Sequence, residues 1–196
     1  MFRRLSLTGF IVAASSLPAF AHLNPIEHGS FAAGLSHPLL GLDHILAMVA
    51  VGLWAASLGR RAVWLVPAAF VGTMLLGFVA ALFGIGLPFV EPVVAASVVV
   101  IGLLAMIALQ VPTTMGMLMV GFFALFHGYA HGGELGNAGA LSFSVGFALA
   151  TAMLHALGVG LCIGLTALFG GNAGRFVARV AGGLTALTGL LLVTGA

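Results

Sequence analysis

Charge is what this chain has least of. Among 196 residues there are six basic and four acidic side chains, 5% charged in all, where soluble domains carry about 25%. No lysine occurs. The isoelectric point near 9.5 therefore reflects a small surplus of arginine and not a cationic surface able to neutralise phosphates, which excludes nucleic-acid binding. Charge runs, a disordered polar tail and a separate soluble domain are excluded on the same ground. Cys162 is the single cysteine, so there is neither an internal disulfide framework nor a multi-thiolate metal site. A G-x-x-x-x-G-K-[ST] phosphate loop is also absent, and the chain cannot hydrolyse ATP by that device. What is present is apolar: 62% of residues are hydrophobic and mean hydropathy is +1.26. These values describe an all-α integral membrane protein.

The first residues read as a secretory signal. Arg3 and Arg4 precede an apolar stretch over 5–17, shorter than the roughly 20 residues a membrane-crossing helix needs. Pro18 interrupts it, and Ala19-Phe20-Ala21 places small residues where a signal peptidase requires them. Residues 1–21 are thus expected to be removed, leaving a mature domain over 22–196 that begins at His22 outside the cytoplasm. Four arginines then remain against four acidic residues.

Six hydrophobic spans follow, near 31–57, 63–83, 92–109, 114–131, 141–169 and 176–194, separated by short Gly/Pro-containing connections. No internal repeat is evident. An external N-terminus puts the connections after the first, third and fifth spans in the cytoplasm. Arg60, Arg61, Arg175 and Arg179 lie in or beside two of these, in accord with the positive-inside rule. Glycine is plentiful at 29 residues and recurs at small-xxx-small spacing, as in Gly128 with Gly132 and Gly160 with Gly164. Such pairs let helix backbones approach closely in lipid, and a compact six-helix bundle is expected.

The few polar side chains gather in two places. In the segment His37-Pro38-Leu39-Leu40-Gly41-Leu42-Asp43-His44, a continuous helix would set His37 and His44 nearly eclipsed on one face with Asp43 about 100° away. Pro38 suits a first helical turn better than an interior, so a helix starting there with His37 as its cap is the alternative. In Phe126-His127-Gly128-Tyr129-Ala130-His131-Gly132-Gly133-Glu134, His127 and His131 share a face at i, i+4, the spacing at which two imidazoles take one metal ion. Gly132 and Gly133 are expected to end that helix and leave Glu134 on a loop that folds back. Both segments approach the outer side of the membrane, where an ionisable group needs a partner or a purpose. Together they suggest a metal site.

Other candidates carry less. His22, as a free N-terminal histidine, would chelate through amine and ring together, or is only the residue after a cut. Glu27 and His28 lie in the external segment. Glu91 reads as a helix start beside Pro92, and His155, with no acidic neighbour in sequence, as a hydrogen-bonding group within the bundle. Met115, Met117 and Met119 alternate without sharing a helical face, which favours packing over a copper(I) relay. Trp54, Trp64 and Tyr129 lie near span ends, the usual place of interfacial anchors.

The H-x5-D-H pattern from His37 to His44 and the F-H-G-x-A-H-G-x-E pattern from Phe126 to Glu134 resemble the two signatures of the HupE/UreJ family, hydrogenase and urease accessory proteins regarded as nickel permeases. The layout of signal peptide and six spans is similar as well. That resemblance implies a nickel transporter of the bacterial inner membrane, with nickel(II) as transported substrate, and carries over His37, Asp43, His44, His127, His131 and Glu134 as functional residues. It implies neither organic cofactor nor nucleotide, and as partners the lipid bilayer and the divalent ion. Imidazole and carboxylate without thiolate suit nickel, cobalt, zinc or copper in their divalent forms. An intramembrane zinc hydrolase, with three histidines on the ion and a carboxylate activating water, is the competing class. A structural accessory subunit that transports nothing is the third.

N-terminal sequencing of membrane-purified protein should begin at His22. A Gly136→Cys variant should react with a membrane-impermeant thiol reagent from outside, whereas Arg60→Cys should not; the reverse pattern would turn the polar clusters towards the cytoplasm.

Overall fold

A computed structural model describes residues 30–135, 139–170 and 172–194, apart from the side chains of Asp43 and Glu134. Residues 1–29, and with them the signal segment, His22, Glu27 and His28, lie outside the described residues. Seven helices are described: α1 Phe31–Leu40, α2 Leu42–Leu58, α3 Ala62–Leu82, α4 Val90–Ile107, α5 Thr113–Leu135, α6 Ala140–Phe169 and α7 Ala173–Thr194. No strand occurs among the described residues. Helices of this composition are what a bilayer demands, because only an element that satisfies its own backbone hydrogen bonds can stand in hydrocarbon. The helices α3 to α7 are each long and apolar enough to cross a membrane. Large apolar side chains cover their outward faces, among them Leu76, Phe122, Leu149, Met153 and Leu187, a surface far too apolar for water.

The first expected span is not one helix. Its halves α1 and α2 meet at Gly41, whose backbone is extended, and their axes diverge by 81°. Taken as one span, the bent pair brings the number of crossings to six. Ser30 caps α1 by accepting from the Ala33 N–H at 2.9 Å. Pro38 sits inside α1 instead of starting a new helix, so it cannot donate back towards Gly34, and the helix ends within a turn.

Glycines set the closest helix crossings. α3 packs chiefly on α5, α4 on α7, and both α1 and α2 on α6. A methyl group on Gly128 of α5 would overlap the Met74 carbonyl oxygen of α3, and one on Gly132 would meet the Phe78 carbonyl oxygen at 2.5 Å. Gly34 and Gly146 place α1 against α6 in the same way, as Gly52 and Gly158 do for α2. The other expected pair is corrected: added methyls on Gly160 and Gly164 meet nothing within 4 Å, because they lie off the face of α6 that carries Gly158 and Cys162 against α2 and α7.

Two further expectations change. The helix α5 runs through Gly132 and Gly133 to Leu135; close packing of Gly132 on α3 outweighs a propensity cost of about 1 kcal/mol per glycine. Glu134 is therefore on a helix and not on a loop. Trp54 is no interfacial anchor: it is fully buried, and its Nε1–H donates to the Leu109 carbonyl at 2.9 Å, pinning the turn after α4 where Ala108 adopts φ 49°. Trp64, by contrast, is exposed.

Replacing Gly128 by leucine should lower the thermal stability of the detergent-solubilised protein by about 1–3 kcal/mol, the usual range for overpacking. Gly164→Ala should leave it unchanged or raise it slightly, since a helical methyl there finds open space. A scanning-fluorimetry series checks both.

Candidate metal site

The bend at Gly41 has a chemical result. His37, near the end of α1, and His44, near the start of α2, come from helices lying 81° apart, yet their ring centroids are 5.9 Å apart. They are not the eclipsed pair of one helix face. The third ring is His131 from the last turns of α5, whose centroid lies 4.5 Å from that of His37 and 5.3 Å from that of His44. One ring nitrogen from each of the three lies within 4.8 Å of the others. Between His44 and His131 the two Nε2 atoms are 3.1 Å apart. Two nitrogen ligands bonded at about 2.1 Å to one ion, roughly 90–109° apart, are themselves separated by about 3.0–3.4 Å. The pair thus has the spacing of adjacent ligands, and an ion would replace the single proton that two neutral imidazoles share there.

His127 is built differently. One turn before His131, it is buried, with its ring 5.7 Å from that of His44. Its Nε2 lies 2.7 Å from Ser97 Oγ on α4. Ser97 donates its only hydroxyl proton to the Val94 carbonyl at 2.6 Å, so towards the imidazole it accepts, and His127 Nε2 is the donor. That nitrogen is committed to Ser97, and the ring stands edge-on to His44, with the planes 85° apart. Ser97 was not legible as a partner; its only signal is a lone hydroxyl in the run Ala95-Ala96-Ser97-Val98-Val99.

Phenylalanines wall the cluster. Phe147 of α6 stands 4.8 Å from His131 and 6.0 Å from His37, centroid to centroid, and stacks on Phe143 at 5.8 Å. Phe143 and Phe147, one turn apart, present one face of α6 to the histidines. Asp43 precedes His44 in the first turn of α2 and Glu134 follows His131 by three residues on α5, so both backbones reach the cluster, whereas their side chains lie outside the described atoms. Chain direction places the four arginines at the other end: α2 starts at the cluster and leads to Arg60 and Arg61, while α6 starts beside it and leads to Arg175 and Arg179.

His155 departs from expectation. It is 1% exposed, and among the described residues neither of its ring nitrogens has a hydrogen-bond partner. An unsatisfied buried polar group costs about 1–3 kcal/mol, so this is not the interhelical hydrogen bond expected for it.

The sequence matches the family described as HupE / UreJ protein over residues 10–192. This chain belongs to the HupE/UreJ family. It is 49% identical over 186 residues to Protein HupE of Rhizobium leguminosarum bv. viciae, covering 94% of this chain and 95% of that one. No solved structure matches.

Loss of any ring of the three should be felt in binding. His44→Ala and His131→Ala should each weaken divalent-metal affinity by about tenfold or more, roughly 1.4 kcal/mol, measured by titration calorimetry in detergent. Ser97→Ala should cost less than either, because Ser97 bonds His127, which is not one of the three converging rings.

Proposed function

We propose that this chain carries a divalent transition metal, nickel(II) before cobalt(II), across the bacterial inner membrane into the cytoplasm, and so supplies nickel enzymes of the hydrogenase or urease kind. The observation that carries this reading is the convergence of His37, His44 and His131 from three helices at one end of an apolar bundle, with nitrogens within 4.8 Å. Membership of a family named for HupE and UreJ supports it. Intramembrane imidazoles are costly unless they have a purpose, and a nitrogen-rich set without thiolate selects late divalent metals over calcium or magnesium. Under this reading the histidine end faces the periplasm and the arginine end faces the cytoplasm, as the positive-inside rule requires.

Asp43 and Glu134 complete the set in the proposal, supplying charge that three neutral imidazoles lack. His22 would add amine and ring nitrogens at the periplasmic mouth. An uncompensated divalent ion falling through a potential of about 100 mV gains roughly 4.6 kcal/mol, enough for a concentration ratio on the order of 10³. The membrane potential alone then suffices to collect a trace metal, and the chain acts as an electrogenic carrier, not as an enzyme.

Radioactive nickel uptake into liposomes containing only this protein tests the reading, with cobalt and zinc as competitors. Uptake should follow a potassium diffusion potential, inside negative, at equal pH on both sides. Indifference to that potential together with uptake driven by an imposed pH difference would replace the uniport with a proton-coupled carrier. Asp43→Asn, which keeps shape and removes charge, should abolish uptake without preventing membrane insertion; wild-type rates would reduce Asp43 to a packing residue.

A further inference from the structure

The outer histidines leave one buried imidazole unused. His155 stands at the middle of α6, the 30-residue helix Ala140–Phe169. Phe147, which touches the outer cluster, is eight residues earlier on the same helix, so His155 lies about 12 Å deeper along its axis. Buried rings connect the two levels. From His131, one turn back along α5 leads to His127; the Phe70 ring of α3 lies 6.0 Å from His127 and 5.0 Å from His155. One turn from His155 on the same face of α6, Thr151 donates its hydroxyl to Met74 Sδ at 3.8 Å, and Met74 is itself one turn from Phe70 on α3. Phe70, Met74, Thr151 and His155 are all shut off from solvent.

An imidazole whose two nitrogens lack partners among the described residues, edge-on to Phe70 and one helical turn from the bonded Thr151–Met74 pair, has an unused lone pair in the buried interior of the bundle. We propose that His155 is a second metal contact, halfway through the bundle, which takes the ion after it leaves the outer histidines, with Met74 Sδ and Thr151 Oγ as the neighbouring donors. The proposal rests on the chain's being a divalent-metal carrier. Its chemistry is consistent with that: imidazole and thioether suit late transition metals and discriminate against hard cations. One strong donor holds an ion weakly, and weak holding is what an intermediate stop requires if the ion is to move on. Without such a donor, the step past Phe70 would expose the ion to an uncompensated low-dielectric barrier.

Cobalt(II) is the probe, because a thiolate bound to it gives a charge-transfer absorption band. In full-length protein carrying Cys162→Ala, so that no other thiol is present, the additional substitution His155→Cys should produce that band when cobalt exceeds one equivalent per chain. In otherwise wild-type protein, His155→Leu should slow cobalt and nickel uptake into proteoliposomes by about fivefold or more, with calorimetric affinity at the outer cluster unchanged. A smaller loss of uptake, or no charge-transfer band once the outer cluster is saturated, overturns the proposal. Should His155→Leu fail to assemble, the band decides alone. Wild-type uptake without a band leaves the carrier reading intact and removes the second contact; a band in a chain that takes up neither metal does the reverse.

Discussion

Backbone contact at glycine is the constraint on which the rest of this structure depends. In lipid no hydrophobic force draws helices together, so association rests on dispersion between closely fitted surfaces. α6 is the clearest case. Its Gly146 receives Gly34 of α1 and its Gly158 receives Gly52 of α2. These crossings are twelve residues apart, about 18 Å along one helix axis. Two short helices docked at separate points of one long helix need not be collinear, and the break at Gly41 lets each take its own angle. The 81° bend turns the end of α1 and the start of α2 towards each other, which is how His37 and His44 come to share one space.

The same contacts place the rings from the other side. Gly128 and Gly132 press α5 onto α3, and the residues between and beside them are His127 and His131. Small residues and imidazoles alternate along that stretch for one reason: the glycine face meets a neighbouring backbone, and the adjoining face is then held at fixed distance from the bundle centre. Site precision of this kind does not come from loops, since every histidine of the cluster stands on a helix. The Phe143 and Phe147 rings, both buried, stand against His37 and His131 from the α6 side.

Much of this was legible in sequence. The apolar runs mark α3 to α7 to within about four residues, because composition largely decides what stands in hydrocarbon, but they give no sign of the break between α1 and α2. The two polar segments point to a shared site, and three of their histidines converge. Local rules failed where tertiary contact outweighs them. Gly132 and Gly133 look like a helix stop, but α3 lies against Gly132. Trp54 looks like an anchor by its position near a span end; its indole is instead buried against the Leu109 carbonyl. Gly160 and Gly164 have the spacing of a packing pair, yet spacing cannot tell which face of a helix meets a neighbour, and theirs meets open space. Ser97 and His127 lie 30 residues apart on different helices, and nothing local in either segment announces the bond.

His155 shows why the absence of a partner could not be read from sequence at all. A histidine in an apolar run is ordinarily expected to find a carbonyl or hydroxyl across the helix interface. Here the helix that crosses nearest, α2, does so through Gly52, which brings backbone against backbone and offers no side-chain donor or acceptor. From α3 comes the Phe70 ring, 5.0 Å away, which has no lone pair in the ring plane to give. The nearby hydroxyl, Thr151, is turned to the Met74 sulfur. The Gly52 crossing meets His155 at its backbone and Phe70 meets it at its ring, and neither contact supplies a hydrogen-bond partner to the imidazole.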